Sequence, residues 1–193
     1  MKFYESGDSS KPVIFLFPGT CCLYSSFDHI LDGLHSYFYT VTVSYDGFDP
    51  NEKTEFYSME DECEKIEQEI KKKYDGRIKA AYGCSLGGSF VSLLIQRKRI
   101  HIDHGIIGSS DMDEAGRLVA KIQSSMVVPF MYKMIHTGVL PKFMQKKLNK
   151  TDEVKKELYN GFLNMFGIGK GGSPWITKQS IYNQFYSDLV TKV

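Results

Sequence analysis

Residues 78–88 read Ile78-Lys79-Ala80-Ala81-Tyr82-Gly83-Cys84-Ser85-Leu86-Gly87-Gly88 and run on into the apolar stretch Ser89-Phe90-Val91-Ser92-Leu93-Leu94-Ile95-Gln96. The first five residues have the length and composition of a short buried strand, and Leu86 to Gln96 have those of a helix. Three residues, Gly83, Cys84 and Ser85, are left between them. A hydroxyl is a weak nucleophile that must stand clear of the sheet to react, and a strand that turns sharply into a helix lifts it there. Gly83 and Gly87 carry no Cβ atoms to collide in so tight a bend. The first N–H groups of the new helix have no intrahelical partner, so the Leu86 amide is aimed where an oxyanion would form. A strand–glycine–helix junction that merely packs tightly is the alternative reading of the same residues.

Working outward, the same alternation recurs. Val13 to Phe17 is a continuous apolar run ended by Pro18-Gly19, as expected of a parallel strand buried on both faces. Ser26 to Tyr37 is expected to form a helix burying Phe27, Ile30, Leu31 and Leu34, and Tyr39 to Tyr45 a second strand. Ser58 and Asp61 resemble a capping box, after which Cys63, Ile66, Ile70 and Tyr74 form one apolar stripe closed by Gly76. Gly105 to Gly108 is the core of a fourth strand, with His101 and His104 placed before it. Parallel strands need helical crossovers, so the expected fold is a doubly wound, mostly parallel α/β sheet with helices on both faces.

Beyond Asp113 the rhythm changes. Residues 115–165 read as helices broken at Pro129 and Pro141, residues 167–172 as a flexible glycine-rich loop, and Ile176 to Val190 as one more helix. The loop superficially resembles a phosphate loop but follows a helix and lacks the closing Lys-Ser or Lys-Thr. The expected division is a core at 1–114, an all-helical cap at 115–175 and a return helix at 176–193.

A chain of 193 residues and 22.0 kDa fits one domain. No apolar run approaches the length of a bilayer crossing, and the first ten residues lack the apolar stretch of a signal peptide, so a soluble cytoplasmic protein is expected. Cys21, Cys22, Cys63 and Cys84 have neither disulfide-framework nor zinc-site spacing and read as reduced thiols. Net charge is +1 overall but divided: residues 1–114 carry 12 Lys+Arg against 19 Asp+Glu, and residues 115–193 carry 12 against 4. The basic part could draw an anionic substrate or an acidic partner, or its lysines could simply coat solvated helix faces. No nucleic-acid motif and no cofactor fingerprint is present, so neither partner is expected.

The loop Phe17-Pro18-Gly19-Thr20 ends the first strand on the side of the sheet where an open α/β fold binds ligands, and the Thr20 N–H is placed to be a second oxyanion donor. Together, this loop and Gly83-Cys84-Ser85-Leu86-Gly87-Gly88 resemble the α/β-hydrolase superfamily, with Pro18 standing where the family's oxyanion loop has His. The likeness runs from about Val13 to Asp113, and the helical segment beyond looks like the lid many members insert. It implies Ser85 as nucleophile, Leu86 and Thr20 as oxyanion-hole amides, Cys84 facing away from substrate, and an ester, thioester or other acyl substrate.

The family's chain order of Ser, acid, His is not met here. Only Asp188 remains as an acid after residues 115–175, and no histidine follows His136. The last family strands are therefore expected to be missing from this chain. Asp111 is a candidate acid after the fourth strand, or with Asp113 a helix cap, and His136 a candidate base or a packed cap residue. His29, His35, His101 and His104 are weaker still. The alternatives are a non-catalytic binding module on the same scaffold, or a site completed by another chain.

Overall fold

The computed structural model describes residues 1–110, 114–169 and 171–193. Five strands form one sheet in the order β1-β3-β2-β4-β5: β1 Lys2–Ser6, β2 Val13–Phe17, β3 Tyr39–Ser44, β4 Arg77–Cys84 and β5 His101–Gly108. All neighbours are parallel except β1, which runs antiparallel to β3 with Phe3 opposite Val43. β1 was not expected. Its five residues, Lys-Phe-Tyr-Glu-Ser, are too polar to announce a core strand, and it forms because the β3 edge offers unpaired backbone groups and Phe3 can pack its ring on Phe15 at 6.2 Å.

From β2 the chain first moves outward to β3, then crosses back past β2 to β4. That reversal opens a crevice at the carboxyl ends of β2 and β4. Helix α1 (Asp28–His35), preceded by a 3-10 turn at Tyr24–Phe27, covers one face of the sheet. There Ile30, Leu31 and Leu34 pack on Ile14, Leu16, Phe27 and Ala80. α2 (Met59–Tyr74), α3 (Leu86–Arg97) and α7 (Lys178–Val190) contribute Met59, Ile66, Phe90, Leu94 and Ile181 to the larger core with Phe15, Phe17 and Val41. Each fully buried ring or branched chain contributes about 1.5–3 kcal/mol. The Ser58 hydroxyl accepts the Asp61 N–H at 3.1 Å, as the capping pattern implied, and α2 ends with Asp75 in the left-handed region.

The segment 115–165 is helical as expected: α4 Arg117–Thr137, α5 Lys142–Asn149 and α6 Glu153–Asn164. One expectation fails. Pro129 lies inside α4 rather than ending it. Proline removes one N–H and frees one carbonyl four residues back; here Ser125 and Pro129 border an open groove with Lys178 and Gln179, where water can take that carbonyl. α4 packs mainly on α7. Residues 167–172 do not swing free at their described positions: Gly169 N–H donates to Gly138 O at 2.9 Å and Ser173 N–H to Ile135 O at 2.7 Å, tying the loop to the end of α4. His101 and His104 lie within β5, not before it, because the ladder with β4 begins at Arg77 opposite His101. All four cysteines are free. Among the described residues no helix is long and apolar enough to cross a membrane.

Candidate active site

Ser85 is the single residue between β4 and α3, with φ 53° and ψ −124°. A non-glycine residue in this region is strained, and such strain survives only where the surroundings hold it. Three contacts do so here. Ser85 N–H donates to Gly108 O of β5 at 2.8 Å, and Ser85 O accepts from Gly88 N–H at 2.7 Å and Ser89 N–H at 3.3 Å. The bend is closed by backbone packed on backbone. A Cβ on Gly83 would lie 1.9 Å from Gly87 O, and one on Gly87 would lie 2.0 Å from Phe17 O. Ser85 itself is exposed.

The β2 loop leans on this bend: a Cβ on Gly19 would stand 3.2 Å from Cys84 O and 3.5 Å from the Ser85 Cβ. Gly19 O accepts from Cys22 N–H at 3.0 Å. In a trans peptide C=O and N–H point opposite ways, so the Thr20 N–H points away from the loop interior. Among the described residues no group accepts the Thr20 or the Leu86 N–H. Pro18 O is held by the buried Tyr45 hydroxyl at 3.1 Å, and Tyr45 stacks on Phe90 of α3 at 4.8 Å, so one side chain braces both the loop and the helix. Burial pushes the Tyr45 hydroxyl well above its ordinary pKa, which keeps it a neutral donor. Burial likewise pushes the Cys22 thiol up to about 12 and raises Cys21, so neither offers a competing thiolate.

Thr20 and Ser85 open into one cleft of about 600 Å³, whose other walls come from Ser109, from Gln123, Ser124, Met126 and Val127 of α4, and from Phe185, Asp188 and Leu189 of α7. Thr20 and Ser85, named together from the sequence, border the same cleft; α7, which the sequence gives no part in the site, borders it too, through residues a hundred or more positions from the elbow in the chain. Among the described residues the lining contains one carboxylate, Asp188, and no histidine, lysine or arginine. His136 is on α4, tilted against Tyr132 at 5.0 Å, and does not reach the cleft. His35 contacts Ser6 and Thr40, and His29 borders a separate groove beside α6. Asp111, the candidate acid, lies outside the described residues. The lysines of α5 and α6 likewise do not line the cleft. Among the described residues no cluster of His, Cys, Asp or Glu could hold a metal.

An α/β-hydrolase family protein from Desulfitobacterium hafniense superposes on 98% of this chain with a TM-score of 0.70 at 15% identity, and the match spans 72% of that protein. The chain has the α/β-hydrolase fold. An esterase from Thermogutta terrifontis (TM-score 0.70, 13% identity, 97% of this chain and 66% of its own) and MenH from S. aureus (0.68, 12%, 99% and 72%) are similar in the same way. The chain thus spans roughly two thirds to three quarters of the length of these proteins. No protein-family model and no curated protein sequence matches it.

Proposed function

We propose that the chain is a serine hydrolase scaffold whose Ser85 forms an acyl-enzyme with an ester, thioester or related acyl substrate. The observation that carries this reading is the strained Ser85 backbone (φ 53°, ψ −124°), exposed at the mouth of the cleft and flanked by two unclaimed amides. In the first step Ser85 Oγ bonds to the carbonyl carbon and loses its proton to a base, while the Leu86 and Thr20 N–H groups hold the oxyanion. As the carbonyl re-forms, the bond to the leaving alcohol or thiol breaks and that group takes a proton. Water then cleaves the acyl-serine by the same steps.

Met126, Val127, Phe185 and Leu189 supply an apolar wall for the acyl group, with α4 acting as the cap. With Asp188 the charged group of the described lining, an uncharged acyl portion fits better than an anionic one. None of the five histidines lines the cleft, so on this reading the base is contributed by further residues or a partner chain packed against its rim. The same observation favours the second reading, a binding module without turnover.

A fluorophosphonate probe separates the two, because Ser85 Oγ bonds to phosphorus and displaces fluoride only if it is nucleophilic. Labelling at Ser85, abolished in Ser85→Ala, is the expected result. A folded protein that stays unlabelled overturns the catalytic reading.

A further inference from the structure

The oxyanion loop is held from a place no local pattern indicates. Gln184, in the middle of α7, is fully buried, and its Oε1 accepts the Cys21 N–H at 2.8 Å across 163 residues of chain. The direction of this bond fixes the side-chain amide, since an N–H can face only the oxygen. Gln184 Nε2 is then left buried with no hydrogen-bond partner among the described residues. Cys21, also fully buried, has φ 60°, a left-handed conformation that a side chain with a Cβ adopts only under constraint.

A buried amide is only half used here: its Oε1 satisfies the buried Cys21 N–H, which an apolar side chain of the same volume would leave unpaired, while its Nε2 is desolvated with no partner among the described residues. What the arrangement does secure is a peptide plane. The Thr20–Cys21 peptide is fixed by Gln184 on one side, Gly19 O is fixed by Cys22 N–H, and Pro18 O is fixed by Tyr45. Between these anchors the Thr20 N–H keeps one direction, away from the turn closed by Gly19 O and Cys22 N–H, and Thr20 lines the cleft with Ser85. We propose that Gln184 is a positioning residue for the oxyanion hole, acting through the Cys21 amide to hold the Thr20 N–H in place. Asp188, Phe185 and Leu189 of the same helix line the cleft, so the docking of α7 sets both the wall and the hole.

This inference rests on the proposed Ser85 chemistry, and two readouts keep the two claims apart. The first is the second-order rate of fluorophosphonate labelling. Gln184→Met, which fills the space but accepts no hydrogen bond from an amide, is expected to lower it by roughly 10²-fold, the usual effect of misplacing a catalytic group by about an ångström. Gln184→Glu, held neutral by burial, keeps a carbonyl acceptor and is expected to restore labelling to within a few-fold of wild type. The second readout is hydrogen exchange of the Cys21 amide, followed by NMR. It is expected to be slow in the wild type and in Gln184→Glu, and fast in Gln184→Met.

Wild-type labelling with an unchanged rate in Gln184→Met overturns the positioning role and leaves Ser85 standing. Loss of labelling in Gln184→Met that Gln184→Glu does not restore also overturns it, since packing alone then accounts for the residue. A rapidly exchanging Cys21 amide in the wild type overturns it even if Gln184→Met fails to fold. An unlabelled wild type removes both claims.

Discussion

The elbow and the helical segment from α4 to α6 are held on opposite terms. At the elbow, backbone lies against backbone: Gly83 against Gly87, Gly87 against Phe17, Ser85 N–H on Gly108 O. Around it Phe17, Tyr45, Phe56 and Phe90 form a buried aromatic group with ring centroids 4.8–6.4 Å apart. In α4 to α6 the apolar side chains largely face outward. Val154, Leu158 and Phe162, one stripe at four-residue spacing on α6, are 78%, 74% and 55% exposed, and α5 and α6 bury no residue. Contacts between main chains leave no slack and fix atoms closely, whereas side chains on solvated helices can shift without breaking anything. The nucleophile lies on the first kind of structure, and α5 and α6, which contribute nothing to the described lining of the cleft, are of the second kind.

This contrast can be tested by substitution, and the elbow offers the most severe test. Gly83→Ala puts a carbon 1.9 Å from Gly87 O, where nothing but main chain can move. It is expected to cost more than about 4 kcal/mol in a denaturant titration. A loss below about 1 kcal/mol would mean the bend is far more yielding than its contacts suggest.

An intermediate effect is expected from pH. Glu62 on α2 is buried beside Asp46, and that burial, with the neighbouring carboxylate, pushes its carboxyl up to about 7. Its partners are the Asp46 N–H at 3.0 Å and Lys65 Nζ at 2.8 Å. The folded chain therefore keeps a proton on Glu62 that the unfolded chain has released above its ordinary 4.5. Stability is expected to fall as pH rises from about 5 to 7, by at most about 1.4 kcal/mol per pH unit, and Glu62→Gln is expected to flatten that decline. Asp46 acts in the opposite direction and elsewhere. Burial would raise it, but Lys65 and the Met1 amino group hold it below the ordinary carboxylate range, so its contribution is lost only under more acid conditions. Melting curves across this pH range check the slope.

The smallest effect is expected on α6. Leu158→Ser should change stability by no more than about 0.5 kcal/mol, because the side chain is already 74% exposed. A drop of 2 kcal/mol would show that α6 is packed in solution against something that buries this stripe.

Most of the architecture could be read from residue patterns. Apolar runs bounded by glycine placed β2 and β4, the Ser58–Asp61 cap and the stripe from Cys63 to Tyr74 placed α2, and Gly83-Cys84-Ser85-Leu86-Gly87 placed the elbow, because each signal is local. β1 leaves no such local signal because its stability comes from the edge of β3, and Pro129 reads as a helix end because its tolerance depends on the groove beside α4.

For the site, the line between what was legible and what was not follows distance along the chain. The bend at Ser85 is written in adjacent residues: glycines that permit it, a strand before it and a helix after it whose first amides are free for any backbone of that shape. The walls are not written there. Thr20 meets Ser85 because β2 and β4 are neighbours in the sheet, Tyr45 braces Pro18 because β3 ends beside β2, and Gln184 reaches Cys21 because α7 docks over the loop. Such contacts join residues that no periodicity connects. They arise only when burial of the common core brings separate elements together, so they belong to the folded molecule and not to any stretch of its sequence.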